Sequence, residues 1–122
     1  PDVKFWDFGD NFKKKFLDRI EENVLPLELA VDRLEKPSLD APILAELGDR
    51  TQTGLYYLAE LLKKQPNGEN GVLLTNSYAN VFYIDSWAVH AFWSAGRGWG
   101  VRADPVGNPY RWGVGDQFFS RK

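Results

Sequence analysis

The stretch AVHAFWSAGRGWGVRAD, residues 88–104, sets two runs of alternating residues on either side of Gly96-Arg97-Gly98 and contains the chain's only histidine, His90. Alternation with period two marks strands that bury one face, and a short glycine-bearing loop between two such runs marks a hairpin. A three-residue loop with Gly98 in the left-handed position sets Ala95 opposite Trp99 and Trp93 opposite Val101. Register matters because a slip of one residue turns every side chain to the other face. The expected register gathers Trp87, Val89, Ala91, Trp93, Trp99, Val101 and Ala103 on one apolar face.

Working outward, a two-residue turn at Asp85-Ser86 pairs Ile84 with Trp87 and Phe82 with Val89, which extends the same face. The opposite face then carries Val81, Tyr83, Ala88, His90, Phe92, Ser94, Arg102 and Asp104, with His90 across from Asp104 and Phe92 across from Arg102. NVFYI (80–84), WAVHAFWS (87–94), WGVRA (99–103) and DQFFSR (116–121) read as strands of an antiparallel meander. DPVGNPYRWGVG, residues 104–115, is too rich in Pro and Gly for a regular element, and VLLTNSY (72–78) reads equally as strand or helical turn.

Before Gly71 the period is helical. Phe12, Phe16, Ile20 and Val24 recur every four residues and predict a helix over 11–24, capped by Asp10 or Asn11. LPLELAVDRLEK (25–36) predicts a second helix, with Pro26 in its first turn, Leu27, Ala30, Val31 and Leu34 on one face, and Pro37 ending it. A third opens at Asp40 as N-cap and runs through Leu44, Leu47, Thr51, Leu55, Leu58 and Leu62 to near Gln65. Gly48 and Gly54 each cost up to about 1 kcal/mol relative to Ala, so a break near Gly48-Asp49 is allowed. The leucine stripe covers fewer than three heptads, which favours packing within the domain over a coiled coil. The expected fold is a single α+β domain over 1–122: two or three N-terminal helices (1–66) packed on one face of a three- to four-stranded antiparallel meander (72–122).

Composition narrows the function classes. The chain has 122 residues, 43% hydrophobic and 26% charged, as in an ordinary soluble domain, and no apolar run approaches the roughly 18 residues of a bilayer span. PDVKFWDFGD has neither the basic start nor the apolar core of a secretory signal, and with no Met in the chain Pro1 is not expected to be the encoded start. The absence of Cys excludes disulfides, thiolate nucleophiles and cysteine metal sites. No metal or cofactor is expected, and an intracellular, cytoplasmic location is the expectation. Residues 1–71 carry 10 Lys and Arg against 14 Asp and Glu, while residues 72–122 carry 5 against 3, an imbalance too small to name nucleic acid as the partner.

His90 beside Asp104 is the acid–base pair on offer, yet general acid–base catalysis also needs a pocket and an orienting group, so a cross-strand polar pair is the plainer reading. Ser94 completes no triad, since four residues along a strand set it roughly 13 Å from His90 and no nucleophile elbow surrounds it. GRGWG is glycine-rich like a phosphate loop, but a strand follows it where a helix is required. Lys13, Lys14 and Lys15 have acids within helical reach and read as a solvated face. KFWDF, residues 4–8, either staples the first helix to the core or docks on a partner, packing being the expected role.

Tyr83, His90, Phe92, Arg102 and Asp104 therefore form the candidate binding face. Aromatics with arginine are the composition of interface centres. The expectation is a non-catalytic interaction module that uses this sheet face or a homo-oligomeric surface, with a protein or a second copy as partner and no membrane. The alternatives are single-stranded nucleic-acid binding through the same face, where aromatics serve as stacking platforms, and a small hydrolase-type enzyme working through His90 and Asp104.

Overall fold

The computed structural model describes residues 2–21, 24 and 26–122. Its elements are β1 (Phe5–Phe8), α1 (Asp10–Lys15), β2 (Leu29–Arg33), α2 (Asp40–Leu47) with a 3-10 turn at Gly48–Arg50, α3 (Leu55–Lys64), β3 (Asn80–Ile84), β4 (Trp87–Ser94), β5 (Gly98–Pro105) and β6 (Gln117–Arg121). The six strands form one mixed sheet in the order β1-β5-β4-β3-β6-β2. The β5-β4-β3 meander and the β6-β2 pair are antiparallel, whereas β1 runs parallel to β5 and β6 parallel to β3.

Helices flank both faces. On one, Phe12 and Phe16 from the α1 segment and Leu58 and Leu62 from α3 close over Phe82, Ile84, Val89, Ala91, Trp99, Val101, Ala103 and Phe119. This is the apolar face expected from the alternation. On the other, Ile43 and Leu47 of α2 pack on Val81, Tyr83, Ala88 and Phe118. The central strands are therefore buried on both sides, and β3, Asn-Val-Phe-Tyr-Ile, reads as a nearly continuous apolar run for that reason.

The antiparallel meander packed on one face by helices is thus corrected to a six-stranded mixed sheet flanked on both faces. Residues 25–36 supply β2 in place of the second helix, and the first helix is confined to Asp10–Lys15; Glu22, Asn23 and Leu25, within those expectations, lie outside the described residues. The chain leaves α1 early because Glu21 is engaged elsewhere, its carboxylate accepting the backbone N–H of Leu55 and Tyr56 and so capping α3. In β2 the helical spacing competes with an alternation of Leu27, Leu29 and Val31, and five paired positions on β6 decide for the strand. The break at Gly48 is realised, with Gly48 at φ 63°. β1 and β2 extend the four expected strands to six, and β6 inserts beside β3 through a parallel crossover.

The hairpin register is offset by two residues from the expected one. Ser94 pairs with Gly98, Trp93 with Trp99 and Ala91 with Val101, around a loop of Ala95-Gly96-Arg97. An even offset preserves the faces. Its cause lies in β1: the Trp99 N–H donates to the Lys4 carbonyl, and a Cβ on Gly98 would sit 2.4 Å from that oxygen. Gly98 at φ 123° is therefore needed inside the strand, where β1 approaches. The Asp85-Ser86 turn falls in the expected register, with Ile84 on Trp87 and Phe82 on Val89.

Candidate functional site

The second face of the sheet divides at β4. Under α2 and the 106–116 loop, Tyr83 is fully buried and its hydroxyl donates to Asp40 Oδ1 at 2.7 Å. Trp112 Nε1 donates to the same oxygen at 2.7 Å, and the Trp112 backbone exchanges two hydrogen bonds with Ser38. Asp40 is 1% exposed and stands inside the first turn of α2, not at its N-cap. Burial, then the hydrogen bond and charge of Asp40, push the Tyr83 hydroxyl well above the ordinary tyrosine range. Phe118 stacks on Tyr83 and meets Trp112 edge-on, which completes a closed aromatic cluster.

Beyond β4 no helix among the described residues packs on this face. The β1 bulge between Phe5 and Asp7 turns Trp6 away from Phe5 and Phe8, which line the α1-α3 side, and onto Phe92, ring centroids 6.2 Å apart. Arg97 from the hairpin loop lies 5.0 Å over the Trp6 ring, and Arg102 lies 5.4 Å over Phe92 while its Nε and Nη2 donate to Asp7 Oδ2 at 3.0 and 2.8 Å. Phe92 covers its cross-strand partner Gly100, where a Cβ would fall 2.4 Å from the ring. The result is a continuous stack, Arg97-Trp6-Phe92-Arg102-Asp7. Trp6 remains 39% exposed, and no carboxylate among the described residues pairs with Arg97.

His90 sits at the seam. In the ladder it faces Arg102, and Asp104 faces Ala88, so the His90 Nε2 hydrogen bond to Asp104 Oδ2 at 3.2 Å is diagonal. Its ring touches Trp112 edge-on at 5.1 Å on one side and Phe92 at 6.1 Å on the other. The hydrogen bond from His90 holds the Asp104 carboxyl below the ordinary aspartate range against a burial effect that raises it; the charges of His90 and Arg102 add to the lowering.

Of the five candidate residues, the structure brings together His90, Phe92, Arg102 and Asp104 and places Tyr83 in the closed half. A cleft of about 550 Å³ reaches Asp104 and Arg102 along with Asp7 and Asp10, but its lining does not include His90. The hydrolase reading needs one pocket reaching both His90 and Asp104, and this cleft does not supply it. Trp6, Asp7 and Arg97 join the site unannounced by strand alternation, because β1 is too short to show a period and Arg97 lies in the hairpin loop. KFWDF as an aromatic cluster was the signal available. Asp40 and Trp112 read as a helix cap and a loop residue, and only tertiary contact brings them to Tyr83.

No protein-family model, no curated protein and no solved structure matches the chain.

Proposed function

We propose that the protein is a non-catalytic interaction module and that the open half of the sheet, centred on Trp6, is its binding surface. The observation that carries the reading is the half-exposed Trp6 held between Arg97 and Phe92. A large ring already immobilised by its neighbours loses little entropy on contact and buries much area, as interface anchors do. Arg97 supplies charge complementarity, since its guanidinium is stacked but lacks an acceptor among the described residues. The matching partner is an extended protein segment that offers an apolar side chain to Trp6 and a carboxylate to Arg97, held by these side chains and not by strand pairing with β1.

Single-stranded nucleic acid fits less well. Arg102 is neutralised by Asp7, Asp104 adds a negative charge nearby, and Tyr83 is out of reach, leaving little cationic surface for phosphates. Selection of displayed extended peptides on the purified protein tests the reading. The enriched sequences are expected to combine an acidic with an apolar residue, and to lose about tenfold or more in affinity on both Trp6→Ala and Arg97→Ala. Enrichment insensitive to both substitutions, or salt-sensitive retention on a single-stranded DNA column with no peptide selected, would overturn it.

A further inference from the structure

The sheet ends in two edges of different character. β1 is four residues long and broken by a bulge at Trp6, a device that discourages pairing with another strand. β2 has five residues in unbroken register with β6 and contains no proline or lysine. Its orientation follows from the flanking hydrogen bonds. Leu34 N–H donates to the Asp116 carbonyl, Gly115 N–H to that of Leu34, and Lys122 N–H to that of Glu28. Even-numbered residues thus turn toward β6, and the N–H and C=O groups of Leu29, Val31 and Arg33 point to the open side, unpaired among the described residues.

A second feature adjoins this edge. Asp32, Arg33, Glu35, Glu46 and Arg50 line a cleft of about 410 Å³ between β2 and α2, floored by Ile43, Leu47 and Phe118. None of these five charged side chains forms an ion pair within the chain among the described residues. A surface presenting both signs unpaired calls for a partner with both signs in reciprocal positions, which a two-fold axis supplies.

We infer that β2 is the pairing edge for a second copy of this chain, joined antiparallel to its counterpart about a two-fold axis at Val31 to give one continuous twelve-stranded sheet. Val31 meets its own symmetry mate, Leu29 lies across from Arg33 of the other copy, and Ala30 across from Asp32, so no like charges stand directly opposed. The backbone groups of Leu29, Val31 and Arg33 each find a donor or acceptor, and Val31, 44% exposed in the single chain, is covered. This pairing is independent of the Trp6 surface, which lies at the other end of the sheet.

Sedimentation equilibrium from micromolar to millimolar protein, with amide hydrogen exchange read at both ends of the range, tests it. Wild type is expected to approach twice the chain mass, and the Leu29, Val31 and Arg33 amides to slow as it does so. Val31→Pro removes an N–H that faces away from β6, and Val31→Lys puts a charge on the axis. Both are expected to remain single chains with thermal midpoints close to wild type, while Trp6→Ala pairs normally. A wild type that stays a single chain throughout, a pair untouched by both Val31 substitutions, or a Val31 amide whose exchange ignores concentration would each overturn the inference. If either variant fails to fold, the wild-type amides decide.

Discussion

Two halves of one sheet face, built from the same residue types, have been put to opposite uses. In the closed half Tyr83, Trp112 and Phe118 meet around one buried carboxylate oxygen of Asp40. In the open half Trp6 and Phe92 meet around two guanidinium groups and stay partly in water. What differs is the cover. α2 and the 106–116 loop exclude solvent from one half, so the Tyr83 hydroxyl and the Trp112 indole N–H find their acceptor inside, on Asp40 Oδ1. No helix among the described residues packs over the other half, so its charged groups need only lie flat on the rings.

The same substitution made in each half gives the sharpest test. Phe118→Ala empties a site that is 2% exposed and touches Tyr83 and Trp112, and it is expected to cost about 3–5 kcal/mol in urea or guanidinium unfolding. Phe92→Ala, in the open half, is expected to cost about 1–2 kcal/mol, because its ring is already partly hydrated. Equal losses would mean that the two halves are buried alike and that the division at β4 is wrong.

Asp40 comes next. Asp40→Ala leaves the buried Tyr83 hydroxyl and the half-buried Trp112 indole N–H without their acceptor, at an expected cost of about 2–3 kcal/mol, with Trp112 emission shifting as the loop loosens. Asp40→Asn keeps a carbonyl oxygen in place and is expected to cost less than half as much. If Asp40→Ala were no worse than Asp40→Asn, the shared oxygen would not be what holds the loop on the sheet.

How much of this could be read from residues alone follows from the range of the interactions. The hairpin faces were legible because Trp87, Val89, Ala91, Trp93, Trp99, Val101 and Ala103 alternate over a length in which no other period competes. The turn at Asp85-Ser86 was legible for the same reason. β2 was not, since Leu27, Ala30, Val31 and Leu34 satisfy a helix while Leu27, Leu29 and Val31 satisfy a strand, and the choice rests with β6, some ninety residues away along the chain. The four-residue β1 and the parallel insertion of β6 leave no local trace. The site divides likewise: His90, Phe92, Arg102 and Asp104 came together because alternation alone places them, whereas the cover over Tyr83 depends on Asp40 and Trp112, 72 positions apart.

His90 joins the two halves, and the smallest predicted effect lies there. Asp104 is ionised more readily in the folded protein than in the unfolded chain, chiefly through the hydrogen bond from His90. A carboxyl with a lowered folded pKa contributes stability above its unfolded value, near 3.9, and loses that contribution as pH falls from there through the folded value. With Asp104 half exposed, solvent screening limits the contribution to below about 1 kcal/mol. The cleaner readout is the Asp104 carboxyl itself, followed by NMR from pH 6 downward. His90→Ala is expected to move its midpoint up toward the ordinary aspartate range, and Arg102→Ala to move it by less, in keeping with the order of the two causes. A midpoint unchanged by His90→Ala would mean that the diagonal contact does not form in solution. His90 would then belong wholly to the closed half, through Trp112, and the open half would be the Arg97-Trp6-Phe92-Arg102-Asp7 stack alone.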